Sequence, residues 1–143
     1  MDLAQLQAQH VAVEKLANQF LSLIADDRLA RPLGTLRWQL ARELMAHLAL
    51  EDRIFYPSMQ RQAHAQLRDT AARLQVEMGP LAASFSRYMS RWSDDRIARE
   101  WCDFCRESRQ MIDAVLNRMR KEENLLMPLL AEAGLEPPLK RAS

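Results

Sequence analysis

His47-Leu48-Ala49-Leu50-Glu51-Asp52-Arg53-Ile54-Phe55-Tyr56-Pro57 sets a histidine and a glutamate four residues apart, with a proline six residues beyond the glutamate. In a helix that spacing puts imidazole and carboxylate on one face, one turn apart. The same spacing returns in Arg118-Met119-Arg120-Lys121-Glu122-Glu123-Asn124-Leu125-Leu126-Met127-Pro128, with arginine in the place of histidine. The two stretches read as equivalent ends of a second and a fourth helix, a weak internal duplication of spacing rather than identity.

The surrounding chain is built for helices. It has 143 residues, which favours one domain with a core of its own. Gly is scarce, at 3 residues, while Ala, Leu, Arg, Glu and Gln abound, and no run reads as a strand bounded by turn residues. The expected fold is all-α, an antiparallel up-down four-helix bundle over residues 1–134 with a C-terminal tail at 135–143. A formal net charge of +1 demands no nucleic acid or acidic membrane, and no apolar stretch has the length of a membrane span. The N-terminus lacks a basic, apolar signal segment, so a cytoplasmic protein is expected.

Asp2 is the expected N-cap of a first helix reaching Ala25, whose inward stripe is Leu3, Leu6, His10, Val13, Ala17, Phe20 and Ile24. The second helix is expected to start near Pro32 or Leu33 and to bend or end around Pro57. Its inward face is Leu36, Leu40, Leu44, His47, Glu51, Ile54 and Phe55. The third covers about Ala63 to Trp92 and should kink near Gly79-Pro80. The fourth runs from about Asp94 to Glu132, capped by Ser93, with Trp101, Cys105, Ser108, Ile112, Val115, Arg118 or Met119, Glu122, Leu125 and Leu129 inward. Gly134 fits a C-terminal stop.

A carboxylate in a core stripe needs a partner. His47 and Glu51 can converge on one ion inside the bundle, with His10 adding a second imidazole and Glu122 a second carboxylate. Two imidazoles and two carboxylates suit iron, manganese or zinc. The alternative is a hydrogen-bonded core histidine with a structural ion pair.

These residues resemble a known family, the hemerythrin-like, or HHE cation-binding, domain. The likeness is carried by His10, by His47-x-x-x-Glu51 ending in Phe55-Tyr56-Pro57, and by Glu122-Glu123-x-Leu125-x-Met127-Pro128, across about residues 4 to 132. It implies a four-helix bundle around a non-haem di-iron centre, with roles in dioxygen, nitric oxide or iron sensing, storage or repair. It also implies that His10, His47, Glu51 and Glu122 are ligands and that the two glutamates bridge the metals. Two expected histidines are absent: Met78, with Glu77 beside it, stands at one position and Arg118 at the other. Thioether and guanidinium are poor ligands for iron. Arg118 is therefore expected to point inward and bridge Glu51 and Glu122 in place of a second cation. The other reading sends Arg118 to the surface and gives its core place to Met119.

Three states stay open: a metal-free site held by Arg118, one metal on His10, His47, Glu51 and Glu122, or two metals with Glu77 and water completing the set. Mononuclear iron is favoured over dinuclear, and no enzyme activity is expected. A metal ion, a small gas ligand or a second copy of the chain are the partners left open, and a metal-free interaction or regulatory bundle is the competing function. An exposed apolar strip near Trp38 or Trp92 would favour that bundle. Cys102-x-x-Cys105 lies inside a helix rather than after a strand, which points to a core Cys105 and a partly covered Cys102, not a redox pair. His64 reads as an exposed polar residue, and Tyr56 as a structural residue, with a lid or an interface as its other reading.

Overall fold

The computed structural model describes residues 2–135 and is all-helical among them. The elements are α1 (Leu3–Leu23), α2 (Gly34–Leu50), α3 (Tyr56–Gln60), α4 (Ala65–Met78), α5 (Leu81–Arg91), α6 (Asp94–Arg99), α7 (Trp101–Lys121) and α8 (Met127–Glu132). Two π-helical turns, Glu51–Phe55 and Glu122–Leu126, join α2 to α3 and α7 to α8 without a break. The tail beyond Leu135 lies outside the described residues. No helix among them is long and apolar enough to cross a membrane.

Asp2 caps α1 by accepting the Gln5 N–H at 3.0 Å, and all seven residues of the inward stripe are buried. Pro32 is not in the first turn of α2, which starts at Gly34. The chain does not end its helix at Pro57 either. Proline has no N–H to give the carbonyl four residues back. The backbone accommodates it by widening the preceding turn, where the Tyr56 N–H reaches the Glu51 carbonyl five residues away. Before Pro128, the Met127 N–H reaches the Glu122 carbonyl in the same way.

The extra residue in each wide turn rotates the helix beyond it, and two expected core positions are corrected as a result. Ile54 is 54% exposed and Leu125 41% exposed, while their neighbours Phe55 and Leu126 are buried. The third helix is divided into α4 and α5 around Gly79 and Pro80. A Cβ on Gly79 would stand 2.5 Å from the Gln75 carbonyl oxygen, so this close approach requires glycine. The fourth helix also starts differently. Ser93 caps the short α6, and Glu100 leaves helical geometry (φ −126°, ψ 46°) before α7 begins.

Two apolar clusters fill the interior. One, around Phe20, Leu44, Phe85, Trp92 and Phe104, joins α1, α2, α5 and α7. Trp92 and Trp101 both pack on Phe104, with ring centroids 5.4 and 5.7 Å away. The second, around Leu6, Phe55, Tyr56, Leu74, Met78 and Leu126, joins α1 to α3, α4, α8 and the π turns. Trp38 is half exposed and belongs to neither cluster, while Arg37 beside it is buried and donates to the Trp92 carbonyl at 2.8 Å.

Candidate metal centre

Four polar side chains converge in the interior. His10 comes from the middle of α1, His47 from the last turn of α2, and Glu51 and Glu122 each open a π turn. All four are at most 2% exposed. His10 Nε2 lies 3.3 Å from Glu51 Oε2 and 3.2 Å from Glu122 Oε1, and His47 Nε2 lies 3.3 Å from Glu51 Oε2. One ligand atom from each of the four fits within 4.8 Å of all the others.

Each imidazole is oriented through its other nitrogen. His47 Nδ1 is 3.0 Å from Gln9 Oε1, and His10 Nδ1 is 3.5 Å from Glu123 Oε1. An oxygen acceptor beside Nδ1 holds a proton there and turns the Nε2 lone pair toward the centre. This is the usual support for a metal-bound histidine. Glu51 Oε1 is buried and makes no hydrogen bond within the protein, and neither do the buried His47 Nε2 and Glu122 Oε1. A cation between the four side chains would satisfy His47 Nε2 and Glu122 Oε1, so the donor set fits one metal ion.

Arg118 lies on the other side of the carboxylates and is 2% exposed. Its Nη2 is 3.1 Å from Glu51 Oε1 and donates to Asp52 Oδ1 at 2.6 Å. Its Nε donates to Glu122 Oε2 at 3.3 Å and its Nη1 to the Met78 carbonyl at 3.2 Å. Tyr56 donates its hydroxyl to the same Glu122 Oε2 at 2.8 Å, and its ring lies 5.6 Å from the guanidinium carbon. Each carboxylate is thus divided, with one oxygen toward the imidazoles and the other toward the guanidinium. The guanidinium stands on the carboxylate oxygens that face away from the imidazoles.

The electrostatics follow from burial and proximity. Burial alone would lower the pKa of His10, but its hydrogen bonds to Glu122 and Glu51 and their charges raise it to about 10. Without a metal, the two carboxylates favour the protonated ring of His10. Burial works against the Glu51 carboxylate, yet the nearby His10 and His47 rings hold it below the usual carboxylate range. Glu122 is pushed up to about 7 by burial and by the charge of Glu51. Burial opposes the charge on Arg118, but Glu51 and Glu122 outweigh it and keep the guanidinium charged.

The remaining candidates are placed elsewhere. Glu77 is half exposed and pairs with Lys121. Met78 contributes its backbone carbonyl to Arg118 while its side chain joins the apolar cluster. His64 accepts the Leu67 N–H at 3.2 Å as the N-cap of α4 and lies 3.4 Å from Glu132. Cys105 is buried and Cys102 exposed, both as free thiols. Sequence reasoning passes over Gln9 and Asp52, quotes Glu123 in the second block without a role of its own, and gives Tyr56 a general structural role, or that of a lid or interface. Asp52 and Glu123 each come directly after a motif glutamate, and Gln9 directly precedes His10. That adjacency is the one signal the sequence carries for them.

A family model described as the hemerythrin HHE cation-binding domain matches residues 1–130. No curated protein and no solved structure matches the chain. With nine-tenths of its length matched and a buried cluster of two histidines and two glutamates at its centre, the chain belongs to the hemerythrin HHE cation-binding domain family.

Proposed function

We propose that the chain is a non-catalytic metal-binding module that holds a single divalent ion on His10, His47, Glu51 and Glu122. In this reading Arg118 serves as a permanent second cation. The division of the two carboxylates carries the proposal: Glu51 Oε2 and Glu122 Oε1 face the imidazoles, while Glu51 Oε1 and Glu122 Oε2 face the guanidinium. A carboxylate bridging two metals would divide its oxygens in the same way. A bound ion supplies a Lewis-acid centre, and the protein residues orient it: Gln9 and Glu123 fix the imidazoles, and Tyr56 and Arg118 fix Glu122. The up-down order of four helical rods and a cytoplasmic setting that keeps both thiols reduced belong to the same reading.

A second reading is a metal-free bundle acting as an interaction protein. It is favoured by the contacts of the buried carboxylates with His10 and Arg118, which supply positive charge without any ion. Metal analysis of protein purified without a histidine tag separates the two: one ion per chain supports the first and none the second. The double variant Met78→His/Arg118→His tests the positions behind the proposal. If the positions are equivalent to ligand positions, it takes up two ions per chain and, with iron, gains the visible absorption of an oxo-bridged pair. If the variant folds and its metal content does not exceed that of the parent, the equivalence is wrong.

A further inference from the structure

We infer that a divalent cation enters the buried centre along the groove between α1 and α7, where Glu14 and Glu123 capture it beside His10. The inference rests on the single-metal reading and adds to it the path of the ion and the two residues that serve that path.

The donor set needs such a path, because all four residues are at most 2% exposed. A groove of about 210 Å³ between α1 and α7 is lined by Glu14, Asn18, Leu116, Met119, Arg120 and Glu123. On α1, Asn18, Glu14 and His10 follow one another at four-residue steps, which aligns them along one side of the helix. Glu123 joins the groove to the centre. It is 35% exposed, and its Oε1 lies 3.5 Å from His10 Nδ1. The opposite nitrogen of the same ring, Nε2, lies 3.2 Å from Glu122 Oε1 and 3.3 Å from Glu51 Oε2. One imidazole therefore separates the groove carboxylate from the inner carboxylates, and that imidazole is itself one of the four donors. Glu122 and Glu123, consecutive in the chain, stand on the two sides of His10, and the inner one presents a buried Oε1 that makes no hydrogen bond within the protein.

Charge distinguishes this groove from a cavity of about 220 Å³ at the α4–α5 break, lined by Glu77, Pro80, Asn117 and Arg118 among others. The carboxylate there, on Glu77, is paired with Lys121, and the buried member is Arg118, whose guanidinium keeps its charge. A cation arriving at that cavity meets a net positive wall. The α1–α7 groove sets two carboxylates against the single guanidinium of Arg120, and oxygen donors suit a hydrated divalent ion. A cleft with an excess of one charge raises the local concentration of the opposite ion and its rate of entry.

The test is stopped-flow uptake of zinc(II), followed with a fluorescent zinc indicator, by the full, untagged, metal-stripped chain and by its Glu14→Lys and Glu77→Lys variants. The parent should bind one ion per chain. At low ionic strength Glu14→Lys should slow uptake at least about fivefold. The difference should shrink at about 0.5 M salt, which screens charges at the groove mouth. Glu77→Lys, which brings the same change of charge to the other cavity, should leave the rate unchanged. One ion per chain with equal uptake by the parent and Glu14→Lys, or with slowing in Glu77→Lys as large as in Glu14→Lys, would overturn the path and leave the single-metal reading standing. Zero or two ions per parent chain would overturn both.

Discussion

Arg118 is buried and has four hydrogen-bonded or ion-paired partners: Glu51, Asp52, Glu122 and the Met78 carbonyl. Removing one side of a buried ionic set strands the opposite charges, at a cost of about 3–5 kcal/mol. Arg118→Ala should therefore lower the metal-free stability by about that amount in a urea melt; an unchanged midpoint would mean that the guanidinium does not hold the carboxylates. Tyr56→Phe removes one hydrogen bond to a charged oxygen and should cost about 1.5–3 kcal/mol. Cys105 is governed by burial, which pushes its thiol up to about 11. A thiol whose folded pKa lies above its unfolded value contributes stability below about 9 and loses it as pH rises through about 11. At pH 8, one thiol per native chain, Cys102, should react with a disulfide reagent, and two should react after denaturation. Two in the native chain would contradict the buried placement of Cys105. His10, His47, Glu51, Glu122 and the inward aim of Arg118 are legible because helical periodicity places i and i+4 on one face. Asp52, Gln9 and Glu123 are not, since periodicity assigns residues beside the stripe to a neighbouring face and says nothing of how far a long side chain reaches back.

The two π turns show how an element departs from the pattern its sequence announces. Each begins at a centre glutamate and ends one residue before Tyr56-Pro57 or Met127-Pro128. Proline is visible in the sequence but its effect is not, because a helix can insert a residue instead of stopping. Such insertions recur at functional sites. The shifted register can be checked by substitution. Ile54→Gln and Leu125→Gln should change stability by no more than about 0.5 kcal/mol. Phe55→Ala and Leu126→Ala should each cost about 2–5 kcal/mol. The reverse ranking would restore the uninterrupted α-helical register. At the α4–α5 break, Gly79→Ala should destabilise the chain, against the gain of about 1 kcal/mol that alanine brings in an ordinary helix, because the added Cβ meets the Gln75 backbone. A raised melting temperature in that variant would show that the approach is not constrained.

The whole molecule joins two apolar clusters through a buried polar layer. The all-helical class is legible from composition and the inward faces from spacing. The division of the third helix and the separate α6 are not, because they depend on backbone geometry at Gly79, Pro80 and Glu100. The family is described as cation-binding, and the proposed reading gives this chain one ion on its four-residue cluster, with the guanidinium as a second positive charge. The number of ions bound at saturation tests that claim most directly. Untagged, metal-stripped protein loaded with excess zinc or iron(II) and weighed intact by native mass spectrometry should carry one ion per chain. Two ions per chain, or none, would contradict it.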